Sequence, residues 1–139
     1  FAALYAIEAA SFQPPLRFTR RYLRSLIEAE DAATWIAEVD AQPAGFAVIE
    51  WYESDAEVAA YLQTIEVLPG HRGRGIAADL LRHAESSARA AHASALWLHV
   101  DARNTAAIRL YEKEGLTQQG RKDHYYGAGT EALIYRKTL

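Results

Sequence analysis

Apolar residues in the first half of the chain recur first at helical and then at strand spacing. Their helical spacing predicts an Ala-rich helix over Ala2–Ala10. This helix is expected to stop at Gln13-Pro14-Pro15, because proline fixes φ and biases its predecessor away from helical geometry. A helical period returns over Leu16–Glu30. Three strands are predicted next, at Thr34–Val39, Gly45–Tyr52 and Ala59–Val67. A turn, Asp40-Ala41-Gln42-Pro43-Ala44, is expected to join the first two.

The second half of the chain alternates predicted helices with predicted strands. A long apolar stripe from Ile76 to Ala91 indicates a helix, and Ala95–Val100 is a nearly continuous apolar strand. A short helix over Asn104–Glu114 is expected to begin at an Asn N-cap and to end before Gly115. The last two predicted strands are Leu116–Tyr126 and Glu131–Lys137. The order α-α-β-β-β-α-β-α-β-β predicts an α+β (mixed α/β) fold, in which the strand–helix–strand crossover implies one parallel pair.

Composition narrows the class of protein. The 139 residues are 50% apolar, which favours a single packed domain over residues 1–139. A net charge of −3 argues against a protein whose partner is a nucleic acid or an anionic membrane. The chain has no apolar run of the roughly 20 residues that a membrane span needs, so a cytoplasmic protein is expected. Because the chain starts at Phe1 and has no methionine, an N-terminal segment is expected to be missing.

Cysteine is absent from the sequence, and the histidines show no metal-ligand spacing. Disulfides, thiolate metal sites and a cysteine acyl-enzyme are therefore excluded, and no metal is expected. The remaining candidate chemistry lies in a Gly- and Arg-rich turn between Val67 and Ala77. A helix is predicted to begin where this turn ends. The backbone N–H groups at a helix N-terminus are unpaired, and they would face a phosphate bound there. A plain basic turn that caps the helix fits the loop chemistry about as well.

A dinucleotide site is a weaker interpretation of the same loop. Gly73-x-Gly75-x-x-Ala78 matches the Rossmann fingerprint, and Asp101 ends the next predicted strand. Five residues separate Val67 from Gly73, however, whereas the Rossmann glycine follows its strand almost directly. The loop is instead similar to a different signature. Arg72-x-x-Gly75-x-Ala77 resembles the Q/R-x-x-G-x-G/A motif of the GNAT superfamily, the acetyl-CoA-dependent N-acetyltransferases.

Two later segments strengthen this resemblance. Leu96–Val100 fits the strand that follows the family's loop, and Asn104–Gly115 is similar to its N-x-x-A-I-x-L-Y-x-x-x-G-F segment, with Leu116 replacing Phe. The resemblance covers Phe1–Leu139 and includes the ribosomal-protein-alanine type of N-terminal acetyltransferase. It implies a central, mostly antiparallel sheet with a splayed parallel strand pair, flanked by helices. The family's first strand is expected to lie ahead of Phe1.

The resemblance also implies which residues bind the co-substrate, acetyl-CoA. In the family, backbone amides of the loop hold the pyrophosphate of the coenzyme, and the strand before the loop polarises the thioester carbonyl through a backbone N–H. The latter position is Val67, and Asn104 would touch the pantetheine arm unless it serves only as an N-cap. The pyrophosphate-binding positions are Arg72, Gly73, Arg74, Gly75, Ile76 and Ala77.

The reaction requires a base for the amine and an acid for the thiolate of coenzyme A. By family position Tyr111 is the predicted acid, although its helix face would also suit core packing. His99 is the predicted base; the ribosomal-protein-alanine enzymes carry Glu there, whereas a eukaryotic N-terminal acetyltransferase type carries His. Glu66 is the reserve base, because strand alternation turns it away from Val67. Direct transfer is expected since the chain has no cysteine.

The sequence says least about the amine that accepts the acetyl group. Asp123-His124-Tyr125-Tyr126 is similar to the hairpin of N-terminal acetyltransferases, where tyrosines line the peptide entrance, so Tyr125 and Tyr126 are predicted substrate residues. Phe12-Gln13-Pro14-Pro15 resembles the opposite wall of that entrance. Paired tyrosines also suit any half-buried strand. The first hypothesis is a protein or peptide α-amine. A small-molecule amine and a non-catalytic acyl-CoA sensor are the alternatives, in a monomer or homodimer.

Overall fold

The computed structural model describes residues 1–11, 18–125 and 129–139, which form the predicted order of helices and strands. The helices are α1 (Ala2–Ser11), α2 (Arg20–Glu28), α3 (Ile76–Ala90) and α4 (Thr105–Lys113). The strands are β1 (Ala32–Val39), β2 (Gln42–Ser54), β3 (Glu57–Val67), β4 (Ala95–Asp101), β5 (Thr117–Asp123) and β6 (Glu131–Thr138). They form one six-stranded sheet in the order β1-β2-β3-β4-β6-β5. The predicted mixed α/β class is confirmed.

The single parallel pair of this sheet, β3 with β4, is splayed. Its pairing covers three residue pairs, Ala59–Ala95, Ala60–Leu96 and Tyr61–Trp97. β3 continues to Val67 and β4 to Asp101 beyond these pairs, so the carboxyl ends of the two strands diverge. Every other neighbouring pair is antiparallel. The predicted splayed parallel pair is therefore confirmed, and it leaves an opening in the middle of the sheet.

Helices cover both faces of the sheet. Under α3 lies the larger apolar cluster, in which Leu81 and Ala84 pack with Leu96 and Leu98. The opposite face carries a smaller cluster, which consists of Leu4, Ile7, Leu23 and Leu26 of α1 and α2 and of Phe46 and Val48 of β2. Burial of each large aliphatic side chain contributes about 1.5–3 kcal/mol. Because Leu98 and Val100 face α3, strand alternation directs His99 to the face that α1 and α2 cover.

The first two hairpins are tighter than predicted. β1 and β2 meet at a two-residue turn, Asp40–Ala41, instead of the five-residue turn expected, so β2 begins at Gln42. Both turn residues have positive φ, 53° and 63°, as the two-residue hairpin turn requires. Asp55–Ala56 repeats the arrangement between β2 and β3. An Asp-Ala pair carries no glycine to signal this geometry, and the predicted strand ends were therefore wrong.

Other predicted boundaries shift by a few residues. In α2 the N-cap is Thr19, whose side chain accepts a hydrogen bond from the backbone of Tyr22 at 3.2 Å, and Ala29 is already extended. The Asn104 N-cap of α4 is confirmed, because its Oδ1 accepts from the Ala107 amide at 3.1 Å. Gly115 follows α4 with φ +93°, also as predicted. β5 ends at Asp123, three residues earlier than expected.

Candidate active site

The Gly- and Arg-rich loop connects the diverging end of β3 to the N-terminus of α3. Beyond a short 3-10 turn at Pro69–His71, the backbone enters the left-handed region twice, at Gly73 (φ +78°) and at Gly75 (φ +81°). Gly75 is the N-cap of α3, and a Cβ atom at either glycine would meet no atom within 4 Å. The open side of the loop therefore presents bare backbone at a helix N-terminus, which suits an anionic group.

This loop forms one wall of a cleft of about 860 Å³. All eight predicted coenzyme residues line the cleft, namely Val67, Arg72, Gly73, Arg74, Gly75, Ile76, Ala77 and Asn104. The opposite wall comes from α4, with Ala107 and Leu110. Arg72 also holds the loop in place, since its Nε donates to the carbonyl oxygen of Val67 at 2.9 Å. The structure thus brings these residues together at the opening between β3 and β4.

His99 lies on the other face of the opening, between two tyrosines. Its Nδ1 is 2.7 Å from the hydroxyl of Tyr61, and its ring stacks on Tyr125 with 4.5 Å between centroids and 4° between planes. Burial lowers the pKa of His99, and the positive charge of Lys122 lowers it further. Because the ordinary pKa of histidine is about 6.5, His99 is neutral at pH 7 and able to accept a proton.

Tyr61 is a functional candidate that sequence reasoning missed. Tyr61 is paired with Trp97, which is the last pair between β3 and β4. Trp97 precedes His99 by two residues on β4. The neighbours of Tyr61, Ala60 and Leu62, belong to the core under α3, so alternation directs Tyr61 to the same face as His99. That alternation is visible in the sequence. The hydrogen bond between the two side chains depends on strand pairing, which the sequence does not reveal.

Tyr111, the predicted acid, is packed against the core. Its side chain is 6% exposed and belongs to the apolar cluster under α3 and α4. Its ring centroid lies 6.5 Å from that of Tyr135. In the described part of the chain, the cleft is lined by Ala107 and Leu110 of the same helix, and Tyr111 is not among its lining residues. Its role as an acid stays a prediction.

Glu66, the reserve base, is buried against a second carboxyl group. Its Oε2 accepts from the hydroxyl of Thr64 at 2.6 Å, and Glu8 of α1 is its other hydrogen-bonding neighbour. Burial, followed by the contact with Glu8, raises the pKa of Glu66 to about 10. A carboxyl group with such a pKa is protonated at neutral pH and accepts no further proton, which argues against Glu66 as the base. Glu8 was not predicted, because 57 intervening residues separate it from Glu66 in the sequence.

The predicted acceptor wall is partly described. Tyr125 stacks on His99, and the ammonium group of Lys122 lies 5.4 Å from the centroid of its ring. Tyr22 of α2 is close enough that burial, then Glu50 and Tyr125, raise its pKa. Tyr126 and the segment Phe12-Gln13-Pro14-Pro15 lie outside the described residues.

Among the residues that the structure describes, no group of three or more His, Asp or Glu side chains is arranged to hold a metal ion. No helix in the described ranges is long and apolar enough to cross a membrane.

Known proteins share both the sequence pattern and the fold. Residues 1–116 match the model of the family described as "Acetyltransferase (GNAT) family". A streptothricin acetyltransferase from Streptomyces lavendulae is 39% identical over 89 residues, which are 63% of this chain and 46% of that protein. The chain thus matches less than half the length of this relative. An N-alpha-acetyltransferase from Sulfurisphaera tokodaii is 30% identical over 118 residues, 78% of this chain and 71% of that protein.

A solved structure agrees with these sequence matches. The ribosomal-protein-S18-alanine N-acetyltransferase from Escherichia coli superimposes with a TM-score of 0.85 at 26% sequence identity. The superposition covers 99% of this chain and 86% of that chain. This bacterial enzyme and the present chain therefore have the same overall fold.

Proposed function

Because the chain belongs to the acetyltransferase (GNAT) family, whose members are acyl-CoA-dependent N-acetyltransferases, we propose that it transfers the acetyl group of acetyl-CoA directly to the α-amine of a protein or peptide. The observation that carries the proposal is the opening between β3 and β4. The Gly- and Arg-rich loop lies on one side of it, and the neutral His99 lies on the other. We propose residues 1–139 as one catalytic domain.

The coenzyme side follows from backbone geometry. The amides between Arg72 and Ala77, at the start of α3, bind the pyrophosphate, and the arginine side chains add positive charge. The pantetheine arm then lies between the separated ends of β3 and β4. The backbone N–H of Val67 donates to the thioester oxygen, on which negative charge develops as the amine attacks. Asn104, at the rim of the same cleft, contacts the arm.

The proposed proton transfers involve His99, Tyr61 and Tyr111. The amine nitrogen attacks the carbonyl carbon, the C–S bond breaks, and the neutral imidazole of His99 takes the proton that the amine loses. Tyr61 orients the imidazole through the bond to Nδ1. The departing thiolate resembles that of cysteine, with a pKa of about 8.5, and Tyr111 donates the proton that neutralises it.

An α-amine suits this base better than a lysine side chain does. The pKa of an α-amino group is about 7.7–8.0, whereas that of lysine is about 10.4. Burial lowers the pKa of His99. The difference between this pKa and that of the amine is therefore much smaller for an α-amino group than for lysine, and the proton transfer is correspondingly less unfavourable. The similarity to an N-alpha-acetyltransferase over 78% of this chain supports the same choice.

A small-molecule amine is the second candidate acceptor. The observation in its favour is the 39% identity to a streptothricin acetyltransferase, although that match covers 63% of this chain. The non-catalytic sensor is disfavoured, because His99 and Tyr61 retain the hydrogen bond that a base needs for orientation. A single product assay distinguishes the three possibilities.

The test mixes purified protein and acetyl-CoA with peptides that carry free N-termini and with common small amines, and it identifies products by mass spectrometry. Matched peptides with a blocked N-terminus and an internal lysine serve as the control for the site of acetylation. Acetylated α-amines support the first proposal, whereas products confined to small amines support the second. Coenzyme binding without any product would contradict both and favour the sensor.

A further inference from the structure

Glu50 is an acidic side chain of β2 that the reaction scheme leaves unused. Its neighbours Ile49 and Trp51 belong to the core under α3, so strand alternation directs Glu50 to the face that carries His99. Glu50 is half-buried, and among the described residues its carboxylate forms no ion pair. A carboxylate that is partly removed from water without a cation is unfavourable, and a cationic ligand would relieve it.

The side chain of Gln63 holds this carboxylate in place. Gln63 lies between Leu62 and Thr64, at the β-bulge where the register of β2 and β3 shifts. Its Nε2 donates a hydrogen bond to Oε1 of Glu50. A neutral amide orients the carboxylate without cancelling its charge. Oε2 of Glu50 accepts no hydrogen bond within the described ranges and is not among the fully buried polar atoms, so an incoming donor can reach it.

Four aromatic side chains surround this face of Glu50. Tyr61 is its direct cross-strand partner, and the Tyr61 hydroxyl is 2.7 Å from Nδ1 of His99. The ring of His99 stacks in turn on Tyr125. Burial raises the pKa of Tyr22 most, and Glu50 and then Tyr125 raise it further, so Tyr22 lies near both. These five side chains are called the aromatic enclosure below: Tyr22, Glu50, Tyr61, His99 and Tyr125.

The aromatic enclosure has the chemistry of a binding site for a cationic group. Tyrosine ring faces attract cations, and a carboxylate forms strong, charge-assisted hydrogen bonds with them. Tyr22 and Tyr125 are 47% and 39% exposed, so the enclosure is open to solvent. Lys122 lies against the ring of Tyr125 and, within the part of the chain that the structure describes, forms no ion pair with Glu50. The charge of Glu50 is therefore available to a ligand.

Glu50 lies farther than His99 from the opening between β3 and β4. It is level with Tyr61 and Trp97, whereas His99 follows Trp97 by two residues and is about 7 Å nearer the opening along the strands. We propose that the aromatic enclosure binds, through Glu50, a second positive charge of the acceptor, about 7 Å from the amine that is acetylated. This subsite rests on the acetyltransferase activity proposed above. A basic residue at the second position of a peptide and the distal ammonium group of a short diamine both carry such a charge.

Peptides that differ only at the second residue test the subsite. The kcat/KM values of an Ala-Lys peptide and of the matching Ala-Gln peptide are compared. Wild type is expected to prefer the lysine peptide by about tenfold, and Glu50→Gln to reduce the preference to within about twofold. Glu53→Gln, which removes the same charge from an exposed position of β2, is the control and should keep the preference. No preference in wild type, or an undiminished one in Glu50→Gln, would overturn the subsite.

A pair of small amines identifies the source of the second charge. The diamine 1,5-diaminopentane and the monoamine pentylamine have the same carbon chain and differ only in the distal ammonium group. A preference of wild type for the diamine that is lost in Glu50→Gln would support the subsite with a small-molecule acceptor. A Glu50-dependent preference confined to the peptides would support it with a basic protein N-terminus.

A binding measurement separates failure of the subsite from failure of the proposed function. Calorimetry on the complex with coenzyme A compares the same two peptides, and wild type is expected to bind the lysine peptide about tenfold more tightly. This comparison requires no variant to fold. Equal binding of the two peptides would overturn the subsite. A Glu50-dependent difference in binding without any acetylated product would support the subsite and refute the proposed function.

Discussion

The protonation state of His99 depends on its immediate neighbours. Burial and the nearby Lys122 both disfavour the imidazolium form, so the pKa of His99 lies below its usual value. If His99 is the base, the acidic limb of the rate profile follows that lowered pKa. The neighbours of one residue thereby set the lower pH limit of activity.

Replacing Lys122 is expected to move that limit. Lys122→Gln removes a positive charge that opposes protonation of His99, so the pKa of His99 rises and the acidic limb of the kcat/KM profile shifts to higher pH. Burial, the larger cause of the lowered pKa, remains, and the shift is therefore expected to be partial. A pH–rate profile measured with excess acetyl-CoA detects it.

Arg121→Gln is the matched control for this profile, because its guanidinium is paired with Glu131 at 2.8 Å. It removes the same charge one residue away and is expected to leave the limb in place. His99→Ala should abolish the limb. If the limb persists in His99→Ala, another group accepts the proton.

Tyr111 is expected to affect turnover more than coenzyme binding. Tyr111→Phe keeps the buried ring and removes only the hydroxyl that protonates the departing thiolate, so kcat should fall by about tenfold to a hundredfold while the KM of acetyl-CoA changes little. Steady-state kinetics at saturating amine separates the two constants. Tyr135→Phe is the control: its hydroxyl donates to Glu112 at 2.9 Å, and its loss should lower stability without lowering kcat. Equal kcat in Tyr111→Phe and wild type would exclude the acid role.

The junction between the loop and α3 depends on a backbone conformation that glycine adopts without strain. Gly75→Ala places a Cβ at φ +81°, where nothing collides with it, so the whole cost is conformational. It is expected to destabilise the protein by about 1–2 kcal/mol and to weaken coenzyme binding, since the amides of α3 shift. Denaturant unfolding and calorimetry measure the two effects.

Gly70→Ala is the matched control within the same loop. Its added Cβ also meets nothing within 4 Å, and Gly70 is not among the glycines with positive φ. Its stability should stay within about 0.5 kcal/mol of wild type. Similar losses in both variants would mean that the loop tolerates no side chain at all, rather than that Gly75 needs a left-handed backbone.

Lys137 joins three parts of the molecule far apart in the sequence. Its ammonium group donates to both carboxylate oxygens of Glu85 on α3, each at 3.1 Å, and to the carbonyl oxygen of Glu114 at 2.8 Å. Glu85 is buried, so the pair fixes α3, the end of α4 and β6 relative to one another. The ion pair thereby holds α4, which forms one wall of the cleft, in place.

Removing one partner of this ion pair is expected to be costly. Lys137→Met leaves the buried Glu85 without its main cation and should lower the free energy of unfolding by about 2–4 kcal/mol, as chemical denaturation would measure. Adding Glu85→Leu removes the stranded charge and should recover much of the loss. Arg121→Gln, which breaks an exposed ion pair, should cost less than about 1 kcal/mol. A small loss in Lys137→Met would show that Arg89, 3.6 Å from Glu85, is a sufficient partner for the buried carboxylate.

Local chemistry was sufficient to predict most of the fold. Periodicity gave the element order, the Asn104 N-cap and Gly115 marked the ends of α4, and the resemblance led to the confirmed family. The loop between β3 and α3 was predictable for the same reason, because glycines, arginines and a helix start are consecutive in the chain. Each of these features is encoded within about a dozen residues.

The arrangement of the site depends on contacts between distant segments. The bond from Tyr61 to His99 joins two strands, the Glu8–Glu66 pair joins a helix to a strand, and neither follows from the spacing of residues in the chain. Burial changed the chemistry of these groups as well, since it made Glu66 a protonated acid and kept His99 neutral. Residue types and local spacing are properties of the sequence. Desolvation and side-chain partnership exist only once the chain has folded, and here they decide which group can take a proton.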